Sequence, residues 1–104
     1  MNDIPRLSPK ETEILQLLVG RGEAYGLEMV KASEGRLKRG TIYVTLNRME
    51  EKGYVESRKA PVKEGQQGPP RRLYKATGHG ARVLNAWRMY LNWAQGGLAL
   101  GGVR

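Results

Sequence analysis

The segment from Thr41 to Val55 constrains this 104-residue chain more than any other. Ile42, Leu46 and Met49 recur at i, i+4 and i+7, which places them in one stripe along a helix. Gly53 is suited to the position just past a helix end, and Tyr54–Lys59 then alternates with a period near two. The spacing predicts a helix from about Arg39 or Thr41 to Lys52 that turns at once into a strand. The rest of the chain must cover the apolar stripe, which leaves the opposite face outside. That face carries Gly40, Val44, Asn47 and Arg48, with Thr41 and Tyr43 on its flanks. Small, hydrogen-bonding and basic groups suit a helix that enters a groove; a merely solvated helix more often shows Glu and Lys there.

Two helices are predicted before this segment. Ser8 can cap the first, Pro9 suits its first turn, and Glu11 completes a capping box. Ile14, Leu15, Leu17 and Leu18 supply its apolar face, and Gly20 to Gly22 ends it. The second helix runs from about Ala24 to Ala32, with Tyr25, Met29 and Val30 toward the core and Ser33-Glu34-Gly35 closing it. After the third helix come two strand-like segments, Tyr54–Lys59 and Arg72–Thr77. Between them Ala60–Arg71, rich in Gly, Gln, Pro and Lys, is too long for a tight turn and reads as the loop of an antiparallel ribbon.

Thr77 can cap a fourth helix from about Gly78 to Gln95. Val83, Leu84, Trp87, Tyr90, Leu91 and Ala94 form one stripe, with Ala86 and Trp93 beside it. Once Met89 is included the apolar sector exceeds half the circumference, more than a terminal helix on a small domain needs. The surplus predicts a second partner, most simply the same helix of another chain, with Val83, Trp87, Tyr90, Leu91 and Ala94 at the interface. Residues 96–104 lack caps and polar periodicity and read as a flexible tail. The expected organisation is a winged helix-turn-helix over 1–77 and a dimerisation helix over 78–95.

Charge narrows the function. Lys and Arg number 18 against 10 Asp and Glu, a formal net charge of +8, which favours a polyanionic partner. The excess is patterned, with one basic stretch near residue 40 and another from Arg58 to Lys75. The absence of cysteine excludes a disulfide framework, a thiol nucleophile and a Cys-based zinc site. The single histidine, His79, sits between two glycines, with neither a nucleophile nor an orienting group assignable to it, so no enzyme, cofactor or metal is expected. No apolar run reaches the ~20 residues that span a bilayer, and no signal peptide is visible, so the expected location is cytoplasmic.

Three helices, a basic ribbon and a further helix match a mainly α fold with a small two-stranded β-wing. In that arrangement the third helix enters the major groove of duplex DNA and the wing reaches the backbone or minor groove. Asn47 and Arg48 are then the base-reading candidates, and Val44 can meet a thymine methyl. Lys38, Arg39, Thr41, Tyr43, Lys63, Arg71 and Arg72 are placed as further DNA contacts, chiefly to phosphate. A protein-interaction adaptor and an RNA-binding winged helix stay open as alternatives.

The same residues resemble a known family. Leu7-Ser8-Pro9-Lys10-Glu11 with the Ile14–Leu18 run resembles the first helix of PadR-type bacterial regulators, and Ala24-Tyr25-Gly26-Leu27-Glu28 resembles the start of their second. The run from Arg39 to Val55 resembles their recognition helix and strand start. Gly68–Thr77 resembles the returning wing strand, and Thr77 to Gly80 keeps a TxxG spacing. The resemblance covers about residues 7–95. It implies a homodimeric winged-helix repressor on a two-fold operator, with Tyr43 and its helix at the DNA and the last helix at the dimer interface. It also implies a small aromatic or cationic effector, for which Trp87 and Trp93 are candidate contacts. Two departures stand out: Val44 replaces a frequent proline, and Pro70 stands where the wing often has arginine.

Overall fold

The computed structural model describes residues 6–61, 65 and 71–101, with only the backbone after Gln95. The first helix, α1 (Pro9–Arg21), starts at the predicted capping box: the Glu11 N–H donates to Ser8 Oγ (3.1 Å) and the Ser8 N–H donates to Glu11 Oε1 (2.9 Å). It ends where the Gly22 N–H reaches the Leu18 carbonyl (2.8 Å). Next come a two-residue strand, β1 (Ala24–Tyr25), and the short helix α2 (Gly26–Ala32).

The turn out of α2 is built on Ser33, whose side chain is fully buried. Its hydroxyl donates to the Val30 carbonyl (2.8 Å) and accepts the Leu37 N–H (2.9 Å), satisfying two backbone groups inside the turn. Glu34 and Gly35, both with positive φ, then reverse the chain toward α3 (Ile42–Glu51). Helix α3 passes through Gly53, at φ +81°, into β2 (Val55–Lys59). Strand β3 (Arg72–Ala76) returns antiparallel to β2 with Ser57 opposite Tyr74, and α4 (Gly78–Gly101) closes the described chain.

The core gathers Ile14, Leu15 and Leu18 of α1, Met29 of α2, and Ile42, Leu46 and Met49 of α3. Ala24, Val55 and Tyr74 of the sheet, Val83 and Leu84 of α4, and Leu7 and Leu37 of the connecting segments complete it. Residue Thr77 locks the last helix to this body. Its hydroxyl donates to the Gly53 carbonyl (2.5 Å) and accepts the Gly80 N–H (2.9 Å). Helix and turn approach so closely here that a Cβ at residue 80 would fall on the Tyr54 carbonyl oxygen, which accounts for glycine in the TxxG pattern.

The mainly helical winged helix-turn-helix is as the sequence predicts, with three corrections. The sheet has three strands in the order β1-β3-β2, because Ala24 and Tyr25 pair with Tyr74 and Leu73 across the free edge of β3. Two residues are too short a run to show a period of two. Helix α2 consequently starts at Gly26, not Ala24, and the Glu28 carboxylate accepts the Tyr25 N–H at 2.7 Å. Helix α4 continues to Gly101, beyond the predicted end at Gln95 and into the stretch read as a flexible tail. No proline interrupts Leu98-Ala99-Leu100, so the backbone hydrogen bonds can propagate through it. No helix among the described residues is long and apolar enough to cross a membrane.

A pH dependence follows from Glu11, which is buried. Burial by itself pushes its carboxyl up. The Lys52 ammonium at 2.8 Å, together with the Ser8 N–H and hydroxyl, outweighs burial and holds the carboxyl below its ordinary range. A depressed folded-state pKa contributes stability above the unfolded value, and that contribution is lost as pH falls through the folded value. Thermal stability should therefore decline as pH drops from the ordinary glutamate value of 4.5. Glu11→Gln should cost about 1–3 kcal/mol at pH 7 and flatten this acid limb. Parallel acid limbs in the two proteins would contradict the assignment.

Candidate nucleic-acid interface

With Ile42, Leu46 and Met49 fully buried, α3 presents its other side to solvent. Tyr43 is 44% exposed and Val44 53%, and Thr41, Asn47 and Arg48 are exposed around them. The predicted face is therefore intact. Val44 lies one turn before Asn47 and Arg48 on the same side of the helix, exposed and outside the core.

Tyr43 is held from one side by α2. A Cβ at residue 26 would lie 2.7 Å from Tyr43 Cε1 and 3.0 Å from its hydroxyl oxygen. The missing side chain of Gly26 is thus the seat of the Tyr43 ring, and the Tyr-Gly pair of the second helix and the tyrosine of the third form one contact. The ring lies across the start of α2 while almost half of it stays in solvent.

The electrostatics are selective. Glu13 accepts both Nε and Nη2 of Arg36 at 3.0 Å, and Glu23 accepts Nε and Nη2 of Arg58 at 3.1 and 3.0 Å. The guanidinium beside Glu23 lowers its carboxyl pKa, and Arg58 is raised in turn. Lys75 pairs with Glu56 at 3.3 Å. None of the ion pairs among the described residues takes up Lys38, Arg39, Arg48 or Arg71, and surface pairing of Arg48 with Glu51 or Glu28 is not among them. Arg48 lies on the outward face of α3, and Lys38 and Arg39 lie just before the helix.

The base of the wing is braced on both sides. Arg71 stacks over the Tyr25 ring at 5.5 Å. Arg72 Nε donates to Ser57 Oγ (3.1 Å), and that hydroxyl donates to Glu50 Oε2 (2.9 Å), tying β3 to β2 and to the last turn of α3. Lys63 and Pro70, singled out in the sequence, lie outside the described residues.

Some participants were not anticipated. The start of α1 meets α3, and a groove of about 420 Å³ between them is lined in part by Lys10, Thr45 and Lys52. Lys10 shows in the sequence only as part of a helix start, and nothing local says that this start faces α3. His79 is exposed beside the Tyr54 ring at 5.5 Å, and the described residues hold no group of three metal-ligating side chains.

The sequence-derived stripe of α4 divides in two. Val83 and Leu84 are buried in the chain's own core, and Trp87 packs against that core. Val83 is therefore a core residue, which corrects its assignment to an interface: helical spacing turns it toward the body that α4 closes. Tyr90, Leu91 and Ala94 are half-buried, while Met89 is 63% and Trp93 70% exposed. Trp87 stacks on Tyr90 at 5.6 Å between ring centres, and Tyr90 tilts toward Trp93 at 6.2 Å. Ala86, Met89, Tyr90 and Trp93 bound an open apolar hollow of about 410 Å³.

The Gly26–Tyr43 seat is testable. Gly26→Ala should destabilise the fold by about 1–3 kcal/mol, as overpacking does. Adding Tyr43→Ala should restore most of that loss, because the obstructing ring is gone. Additive losses in denaturant melts would contradict the contact.

Residues 14–86 match the family described as transcriptional regulator PadR-like. A PadR family transcription regulator from Clostridium difficile is 26% identical with a TM-score of 0.67, covering 91% of this chain and 97% of its own. A PadR family transcriptional regulator from Eggerthella lenta is 27% identical with a TM-score of 0.69, covering 86% of this chain and 77% of its own. A MarR variant from E. coli in complex with operator DNA shares the fold at 18% identity and a TM-score of 0.68, covering 85% of this chain and 58% of its own. No curated protein sequence matches the chain. With its family signature spanning the helix-turn-helix, the wing and the start of the last helix, this chain belongs to the PadR-like family of transcriptional regulators.

Proposed function

We propose that the chain is a sequence-specific, DNA-binding transcriptional regulator that acts as a homodimeric repressor on a palindromic operator. The exposed face of α3 carries the reading. It offers Val44, Asn47 and Arg48 outward, and none of the ion pairs among the described residues engages Arg48. Arg48 has the donor fork that reads guanine, Asn47 the paired donor and acceptor that read adenine, and Val44 the methyls that meet thymine. Lys38, Arg39, Thr41, Tyr43, Arg71 and Arg72 surround this face with phosphate-seeking groups. The MarR relative bound to operator DNA supports the same use of the fold.

The dimer rests on the outer half of α4. Trp93, Met89 and Tyr90 leave an apolar hollow in solvent that a second copy of the helix would cover. Trp87, Leu91 and Ala94 continue the contact from the half-buried side. A two-fold dimer presents two α3 helices, and half-sites about one helical turn apart match that symmetry. The aromatic row Trp87, Tyr90, Trp93 is also where a flat aromatic or cationic effector would stack and relieve repression. A bacterial, cytoplasmic setting is part of the same proposal.

Asn47→Ala and Arg48→Ala should each cost about 1–3 kcal/mol on the operator and relax preference at one base position. Equal losses on every duplex, measured by fluorescence anisotropy, would remove them from base reading. Trp93→Glu should shift the protein to monomer in sedimentation equilibrium without lowering helix content. An unchanged oligomeric state would contradict the α4 interface.

A further inference from the structure

We propose that the groove between the start of α1 and the flank of α3 seats a phosphate of the DNA backbone, and that Lys10 is a DNA-contacting residue of this chain. The inference rests on the DNA-binding reading above and extends it to an element outside the helix-turn-helix and wing. The groove holds about 420 Å³ and opens beside the outward face of α3, with Lys10 on one wall and Thr41 and Arg48 on the other. Lys10 Nζ lies 3.4 Å from Thr41 Oγ1, so an ammonium and a hydroxyl from two different helices converge on one point. Both residues are exposed, and so is Arg48.

The charge in the groove is arranged for an anion. Its one carboxylate, Glu11, is turned inward, accepting the Ser8 N–H and the Lys52 ammonium. Lys52 and Glu11 therefore balance each other, and Lys10 and Arg48 remain as the net positive charge. The Ser8, Glu11 and Thr12 N–H groups at the start of α1 are already engaged within the cap, so the side chains carry the contact. Two cationic side chains and a hydroxyl are the donors that a phosphodiester recruits.

Position selects the ligand. Arg48 and Thr41 border the groove at the edge of the α3 face whose centre carries Asn47 and Val44. When that centre lies in a major groove, a sugar-phosphate strand bordering it runs along this edge. Tyr43 and the start of α2 flank the other edge, so α3 has a polar contact for each bordering strand.

The test uses the full chain and a duplex that wild type retains from a random library, with wild type, Lys10→Ala and Lys10→Arg titrated at several salt concentrations. Lys10→Ala should weaken binding about tenfold on all sequences and lower the salt slope by about one, while Lys10→Arg keeps the slope. A series of duplexes with single uncharged methylphosphonate linkages should show one linkage that weakens wild type and leaves Lys10→Ala unaffected. Thermal melting should be unchanged, because Lys10 is exposed. If wild type and Lys10→Ala share one salt slope and one set of sensitive linkages, the proposal is overturned while the DNA reading stands. If wild type binds no duplex in a salt-dependent manner, both fall together.

Discussion

Burial of Ile42, Leu46 and Met49 decides which side of α3 is left for any other purpose. Each is fully buried, and each contributes about 2 kcal/mol by leaving water. Rotating α3 far enough to withdraw the outward face would expose all three. The loss would rival the whole stability of a small domain, about 5–15 kcal/mol. The orientation of the outward face is consequently as secure as the fold. The ends of the helix are fixed separately. The buried Ser33 hydroxyl sets the turn before it, and the Tyr54 N–H to Met49 carbonyl bond (2.9 Å) sets the turn after it.

The ion pairs have a different part. Arg36–Glu13, Arg58–Glu23 and Lys75–Glu56 each have at least one partner well exposed to solvent, which screens the pair and leaves it little weight in stability. Their value lies in where they put charge. They neutralise Arg36, Arg58 and Lys75 and leave Lys38, Arg39 and Arg48, at and just before α3, outside any ion pair of the described residues. The contacts that matter for shape are short and specific: the Thr77 hydroxyl at the α4 junction, the Gly26 seat for Tyr43, and the Glu50–Ser57–Arg72 relay between α3 and the wing.

Local patterns account for what was legible in the sequence. The capping box of α1, the stripe of α3 and the glycine that ends it are set by residues three to seven apart, so the sequence states them directly. The outward face of α3 follows as the complement of its stripe. Long-range partners have no such signature. Nothing in Ala24-Tyr25 announces pairing with Leu73 and Tyr74, and nothing around Lys10 announces the approach of Thr41, 31 residues away. Periodicity in α4 gave the breadth of the apolar sector but not its division, because only the packed body shows that Val83 and Leu84 turn inward while Met89 and Trp93 do not. Tyr43 and Gly26 lie 17 residues apart, and no local pattern links them, so their contact belongs to the fold alone.

Sequence-specific recognition of duplex DNA by the α3 face is the central claim, and selection from a random duplex library near physiological salt tests it most directly. The account predicts recovery of one two-fold-symmetric motif, with half-sites about one helical turn apart. Salt-sensitive retention of duplexes that share no motif would contradict it, leaving the basic surface as a non-specific electrostatic one.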